Sequence, residues 1–436
     1  MFNKLEYISL ILVLLIPLTL ITGPAVPDIS ITLISIFFLY YIFVNKKIII
    51  SEKWIVTILV FWLILLFCSF FAKNNYIAFS ESFIFIRILL IPIFLYVWIL
   101  NTNKRINYVL GFIFIAVIFV AIDCLYQFIN YEPEIGFGKD LLGFTSTFYG
   151  RLSGPFKDLV PGSYIAKFGF LGLCFIFINL KNKNKLLFFS AILYLTICGI
   201  ITYISGERMA FATLFLGIVL GIILYSKYRL IFFLSLILIF FSIYIINKTH
   251  PIYNDYKIIE STPYHLGQKI EKKYRCGQQD CIKIINLQPE LKEVLKNFKA
   301  SPYGNVYLLA LKMYSDNKLF GIGLNNFNYL CKKNNNYKPV NNCWSHPHNF
   351  YLQWLVESGL VGFFGFIIFL LTILYKIYLN KQNYYAPITF IVFAILFWPI
   401  MSTGSLLKNW HGIETFFILG VALSLLNYKK NTNLSS

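Results

Sequence analysis

What most limits this chain is the recurrence, almost end to end, of apolar runs long enough to cross a hydrocarbon core of roughly 30 Å, which takes about 20 helical residues. Twelve runs qualify: residues 5–22, 28–45, 54–72, 80–100, 107–130, 163–180, 186–204, 209–226, 230–247, 356–377, 385–402 and 412–428. The expected fold is an all-α polytopic membrane protein with about 12 transmembrane helices. At 58% hydrophobic and 13% charged residues, a set of soluble domains is excluded. The first run has Lys4 as its only early cation and a second run follows almost directly, so it reads as an anchor rather than a removed signal.

The formal charge of +19 must first be explained by topology, because cations resist export across a membrane. Alternate short connections carry Lys46, Lys47 and Lys53, then Lys104 and Arg105, then Lys181, Lys183 and Lys185, then Lys227 and Arg229, then Lys376 and Lys381. Lys4 and the pair Lys429 and Lys430 mark the two ends. The side they share is expected to be cytoplasmic, with both termini on it, and no nucleic-acid partner is implied. Two outer loops are longer, at about 131–162 and 248–355. The second separates a helical unit at 1–247 from another at 356–436, as a periplasmic loop domain between the ninth and tenth helices. From Lys248 to His346 it holds fifteen cations and seven acids, a net +8 that offers anions a landing place.

Four of eight cysteines, Cys68, Cys124, Cys174 and Cys198, lie in apolar runs as small buried hydrophobes. The other four, Cys276, Cys281, Cys331 and Cys343, fall in the long outer loop. In an oxidising compartment they suggest two disulfides, Cys276 with Cys281 and Cys331 with Cys343 being one of three pairings. A metal site using Cys343, His346 and His348 is the rival, with spacing unlike a zinc module.

Charges inside spans cost a few kcal/mol on insertion scales and each implies a partner or a task. Arg87, Asp123, Lys167, Glu207 and Arg208 all fall toward the outer ends of their spans. An ion pair such as Arg87 with Asp123 would explain two of them structurally. Ser205-Gly206-Glu207-Arg208 forms a tight turn between two apolar helices, where backbone N–H groups beside a guanidinium would hold a phosphate. Ser345-His346-Pro347-His348-Asn349 precedes a helical period at Leu352, Leu355 and Val356, which puts His348 and Asn349 at a helix N-terminus. That end disfavours an imidazolium and leaves a neutral nitrogen able to act as a base.

The chain has no GxxxxGK[ST] loop, and Gly321-Ile322-Gly323 lacks the third glycine and the strand context of a dinucleotide site. An energised donor on the outer face would therefore have to be membrane-bound. Polar groups gathered at one face weigh against a transporter or flippase, which would place them along a midplane path.

His348-Asn349, nine further residues and then Gly359-Leu360-Val361-Gly362 resemble the H-[NSQ]-x9-G-x-x-G signature of the bacterial O-antigen ligase and O-antigen polymerase superfamily. Ser205-Gly206-Glu207-Arg208 resembles that family's SG-x-R turn, and Asn317 to Phe327 its segment before the catalytic helix. The resemblance is strong over roughly 195–375. Arg151 to Phe156 with Gly162-Ser163-Tyr164 is similar, more weakly, to an outer loop of some members. The resemblance implies a GT-C-like glycosyltransferase of the bacterial inner membrane, working on the periplasmic face without metal or cofactor. It would use an undecaprenyl-diphosphate-linked glycan donor and a lipid A core or another lipid-linked glycan as acceptor, the first in a ligase, the second in a polymerase. On this chain it implies His348 as base and Arg208 as ligand of the leaving diphosphate. Asn349, His346 and Arg151 fall in the same motifs as substrate-binding candidates. Many members carry a second arginine in the large loop where this chain has Asn305, leaving Arg87 or Lys312 as candidates for the companion cation.

Overall fold

A computed structural model describes residues 2–45, 52–132, 136–146, 148–179, 185–254, 257–261, 268–276, 279–287, 296, 298–337 and 343–428. A helix occupies each of the twelve expected spans: α1 (Phe2–Thr19), α2 (Ala25–Asn45), α3 (Lys53–Ser69), α4 (Asn75–Phe94), α5 (Asn103–Ile129), α6 (Pro161–Asn179), α7 (Lys185–Ile204), α8 (Arg208–Leu224) and α9 (Arg229–Thr249) in the first part. After a one-turn helix, α10 (Pro251–Asn254), come α11 (Pro302–Ser315) and α12 (Phe327–Lys333) in the outer segment. The body resumes with α13 (Phe350–Leu379), α14 (Ala386–Leu396) and α15 (Asn409–Ser424). Among the described residues eight helices are long and apolar enough to cross a membrane, while α3, α8 and α14 are shorter apolar helices. The chain is a multi-pass membrane protein.

The helices are apolar on nearly every face, so lipid and core both receive hydrophobic side chains. On α9 the buried residues Ile231, Ser235 and Ile239 recur every four positions, while Phe233, Ile237, Phe240 and Phe241 are exposed, as suits one narrow packing stripe and a broad lipid-facing surface. Helix starts are set by local caps: Asn74 accepts from the N–H of Ile77 at 3.1 Å and Asn349 from that of Leu352 at 3.0 Å.

Contacts sort the connections into two ends. At one, the N–H of Lys73 donates to Ile322, that of Leu141 to Asp123, and that of Thr403 to the carbonyl of His348. At the other, Glu52 accepts from Lys376 and Tyr96, and Arg105 pairs with Glu6. The former end therefore gathers the described parts of the connections at 70–74, 131–160, 205–207, 301–349 and 397–408.

The structure corrects the expected picture at three places. The outer segment is not wholly helical: β3 (Lys257–Ser261), β4 (Gln268–Cys276) and β5 (Gln279–Leu287) form an antiparallel sheet in that order, preceded by the two-residue pair β1 (Tyr131–Glu132) and β2 (Gly136–Phe137). Ile270, Tyr274, Ile282, Ile284 and Ile285 favour a pleated strand, a signal too short and too interrupted by charge to register in a search for membrane-length runs. The span expected to reach 402 ends at Leu396, because Pro399 lacks an N–H and disfavours helix before it. The helix expected from 356 starts at Phe350. A second, smaller core of Val306, Ala310, Met313, Ile322, Phe327 and Val356 joins α11 and α12 to the start of α13.

Candidate active site

His348 stands one residue before the cap of α13, with a positive φ of 56° that few side chains adopt. The loop 397–408 holds it there. The carbonyl of His348 accepts from the N–H of Thr403 at 2.8 Å, and the Thr403 hydroxyl accepts from the N–H of Phe350 at 3.1 Å. Asn349 turns its amide outward from the cap, donating to the carbonyls of Pro399 at 2.9 Å and Met401 at 3.1 Å. Asn349 thus fixes the helix start against that loop. His346 donates from Nε2 to the carbonyl of Thr403 at 3.2 Å, which leaves Nδ1 to accept from the Ser345 hydroxyl at 2.8 Å. This network describes a neutral tautomer.

His348 is ringed by aromatic side chains. His346 lies 4.3 Å away between ring centroids, and Trp344 and Tyr303 stand edge-on at 4.8 Å and 5.6 Å. Its Nε2 is buried and has no hydrogen-bond partner among the described residues. Burial, with a smaller push from His346, brings its pKa down to about 4. At neutral pH the ring is uncharged, with a nitrogen available for a proton.

The glycine motif explains how this short helix is held. Gly359 adopts φ 65°, ψ −166°, so α13 breaks into Phe350–Ser358 and a membrane-length part from Leu360. The backbone groups released by the break pair with the Lys318–Gly323 loop: Ile322 and Gly323 donate to Val356 and Glu357 at 3.0 Å and 2.9 Å, while Leu360 and Val361 donate to Lys318 and Leu319 at 2.9 Å and 3.1 Å. A side chain on Gly359 would put its Cβ 2.3 Å from the Leu319 carbonyl oxygen. The two glycine segments are one interlocked element.

The Ser205–Arg208 turn lies at the same end. Gly206 has φ 76°, and Arg208 opens α8 with an exposed side chain. Glu207 accepts from the N–H groups of Gly162 at 2.7 Å and Ser163 at 3.1 Å, capping α6. Burial raises its pKa to about 7 against the opposing pull of Arg151, those N–H groups and Lys167. Arg151 packs on the turn: a Cβ on Gly206 would lie 3.1 Å from its Cγ and 3.5 Å from its Nε, and that Nε is buried without a hydrogen-bond partner among the described residues.

His411 lies near the histidine motif. Its ring is in electrostatic range of His346, His348 and Lys167, and Lys167 in turn acts on Glu207 and pairs with Glu414. The remaining candidates lie differently. Arg87 pairs with Asp28, not Asp123, and donates to Thr32 at 3.2 Å and Asn409 at 3.0 Å. Asp123 accepts from Leu141 at 3.0 Å. Lys312 donates to the Asn336 carbonyl at 2.7 Å and sits over the Tyr337 ring. The Cys331–Cys343 disulfide is formed, while the side chains of Cys276 and Cys281 lie outside the described residues. Sequence reasoning missed the 397–408 loop, whose contribution is mostly carbonyls, and the exposed Trp344 and Tyr303.

A neutral, aromatic-lined histidine and an arginine-bearing turn thus lie at one end of a multi-pass helical membrane protein. Residues 193–367, a segment that holds both motifs, match the family model described as O-antigen ligase, which supports placing that segment in the O-antigen ligase and polymerase superfamily. That match indicates an O-antigen ligase-like role in membrane glycan processing. A comparison with curated proteins finds no match.

Proposed function

We propose that the chain is a GT-C-like glycosyltransferase of about twelve spans in the bacterial inner membrane. It moves a glycan from undecaprenyl diphosphate to a lipid A core or similar acceptor on the periplasmic face, with both termini cytoplasmic. The observation that carries this reading is the Nε2 of a neutral His348, buried and without a hydrogen-bond partner among the described residues, at the end of the helical body that also bears Arg208.

His348 takes the proton of the acceptor hydroxyl as its oxygen attacks the anomeric carbon. A new C–O bond forms there, and the bond to the diphosphate oxygen breaks with inversion. The electron pair leaves on undecaprenyl diphosphate, whose charge Arg208 receives. Arg151 is the companion cation this geometry favours, since it lies on the Arg208 turn, whereas Arg87 and Lys312 are held by other partners. His346 and Asn349 position His348. Exposed Trp344 and Tyr303 offer apolar ring faces for the sugars.

The test is transfer by pure protein in liposomes supplied with lipid-linked donor and acceptor. His348→Ala and Arg208→Ala should each abolish transfer while the protein still inserts; normal transfer by both would refute the reading. A reporter fused at Lys299 should lie outside the cytoplasm. Glycan accumulating unattached on its carrier in a deletion strain identifies the ligase reaction, and attached single repeats the polymerase.

A further inference from the structure

Beside the histidine pair lies an open cleft of about 650 Å³ whose lining includes Lys332, Lys333, Lys408, Asn328, Tyr329 and Ser345. Four facts give it direction. First, its Ser345 wall hydrogen-bonds to His346, whose ring is 4.3 Å from that of His348, so the cleft ends one imidazole away from the proposed base. Second, its three lysines form no salt bridge among the described residues: Lys333 donates to the Tyr329 hydroxyl at 3.1 Å, and Lys408 acts on Glu81 and Glu357 only through space, the Glu81 carboxylate accepting from Asn325 at 3.0 Å. Third, the backbone beneath Lys332 and Lys333 is tied down, because Lys332 follows Cys331, bonded to Cys343, and Asn328 donates to the carbonyls of Cys343 at 3.2 Å and Trp344 at 3.0 Å. Fourth, Ile77 in the first turn of α4 also lines the cleft, and Phe70 and Tyr76 beside it are exposed, as at a membrane boundary.

We infer that this cleft is an acceptor subsite, in which Lys332, Lys333 and Lys408 hold an anionic group, phosphate or carboxylate, on the sugar of a membrane-anchored acceptor. The inference rests on the proposed transfer reaction. Inversion places the attacking hydroxyl and the leaving diphosphate on opposite faces of the anomeric carbon, so the groups beyond the base face the acceptor, while the Arg208 turn faces the donor. Three lysines supply charge without the fork geometry of arginine, which suits a group whose position varies among sugars.

The test uses full-length protein in liposomes, a phosphorylated lipid A core glycolipid, and the same glycolipid after phosphatase treatment. The triple variant Lys332→Gln/Lys333→Gln/Lys408→Gln should raise KM for the phosphorylated acceptor at least tenfold, with kcat and the KM for donor changed less than twofold. If phosphate is the bound group, wild type and variant converge on the treated acceptor; if carboxylate is, the gap persists. Unchanged acceptor KM with both substrates overturns the subsite. His348→Ala separates the two levels: it should stop transfer yet keep acceptor binding measured without donor. Transfer surviving that substitution counts against the reaction, whereas its loss alongside an unchanged triple-variant KM counts against the subsite alone.

Discussion

The N–H of Gly323 donates to the carbonyl of Glu357 at 2.9 Å, which joins the loop after α11 to the helix that carries the proposed base. Three neighbouring backbone bonds complete the lock, and all depend on the break at Gly359. Gly359→Ala meets both an unfavourable φ of 65° and a Cβ placed 2.3 Å from the Leu319 oxygen, so it should cost about 3 kcal/mol or more and lower activity. Gly23→Ala, also at positive φ but with nothing within 4 Å of the new Cβ, serves as the comparison and should cost about 1 kcal/mol. Thermal unfolding in detergent reads both; equal shifts would show that the interlock contributes nothing.

Glu207 makes stability depend on pH in an unusual direction for a carboxylate. Its pKa is raised from 4.5 to about 7, so between these values the folded state binds more protons than the unfolded one. The associated stability is present below pH 4.5 and is lost as pH rises through about 7. Glu207→Gln keeps an oxygen for one N–H of α6 and cannot ionise, so unfolding midpoints measured from pH 5 to 8 should fall less steeply for the variant than for wild type. Parallel curves would contradict the assignment.

Much of the fold was legible because one physical demand, an apolar run of membrane length, dominates the chain, and every run is a helix. Helix ends were less so. A run of hydrophobic residues does not announce where Pro399 stops it, and the polar cap Asn349 lies outside the apolar pattern that defines α13. Both site motifs were legible from residue type, since charged and histidine side chains beside lipid need a reason. Their partners were not. Arg87 chose Asp28 over Asp123 through the packing of α2, α4 and α15, which no spacing along the chain encodes. Thr403, which positions both histidines, contributes mainly backbone groups that every residue shares.

The Cys331–Cys343 bridge closes a short loop between the lysine wall and the histidine motif. For a sequence separation of 12, chain-entropy arguments give roughly 3 kcal/mol, here acting on the outer segment rather than on the helical body. Cys331→Ser/Cys343→Ser should therefore increase proteolytic nicking between α12 and α13 and raise acceptor KM, with insertion and the bulk melting transition unchanged. Added reductant should reproduce this in wild type but not in the double variant. A variant with wild-type KM and protease resistance would show that the bridge holds nothing the site needs.

His348 offers the most direct kinetic signature. Its pKa is pushed from 6.5 to about 4 by burial and by His346, so the neutral, proton-accepting ring persists well into acid. Because kcat/KM reports the free enzyme, its acid limb should fall only as pH approaches about 4, provided samples returned to pH 7 recover full activity. The bound donor changes the balance: its diphosphate charge favours the imidazolium, so the limb of kcat should lie at higher pH than that of kcat/KM. His346→Gln can still donate to the Thr403 carbonyl but removes a group whose charged form opposes protonation of His348. It should move the kcat/KM limb upward, toward the ordinary imidazole value. An acid limb already at that value in wild type would remove the tuned histidine from the mechanism, whereas a limb near 4 that ignores His346→Gln would leave burial as the sole cause of the shift.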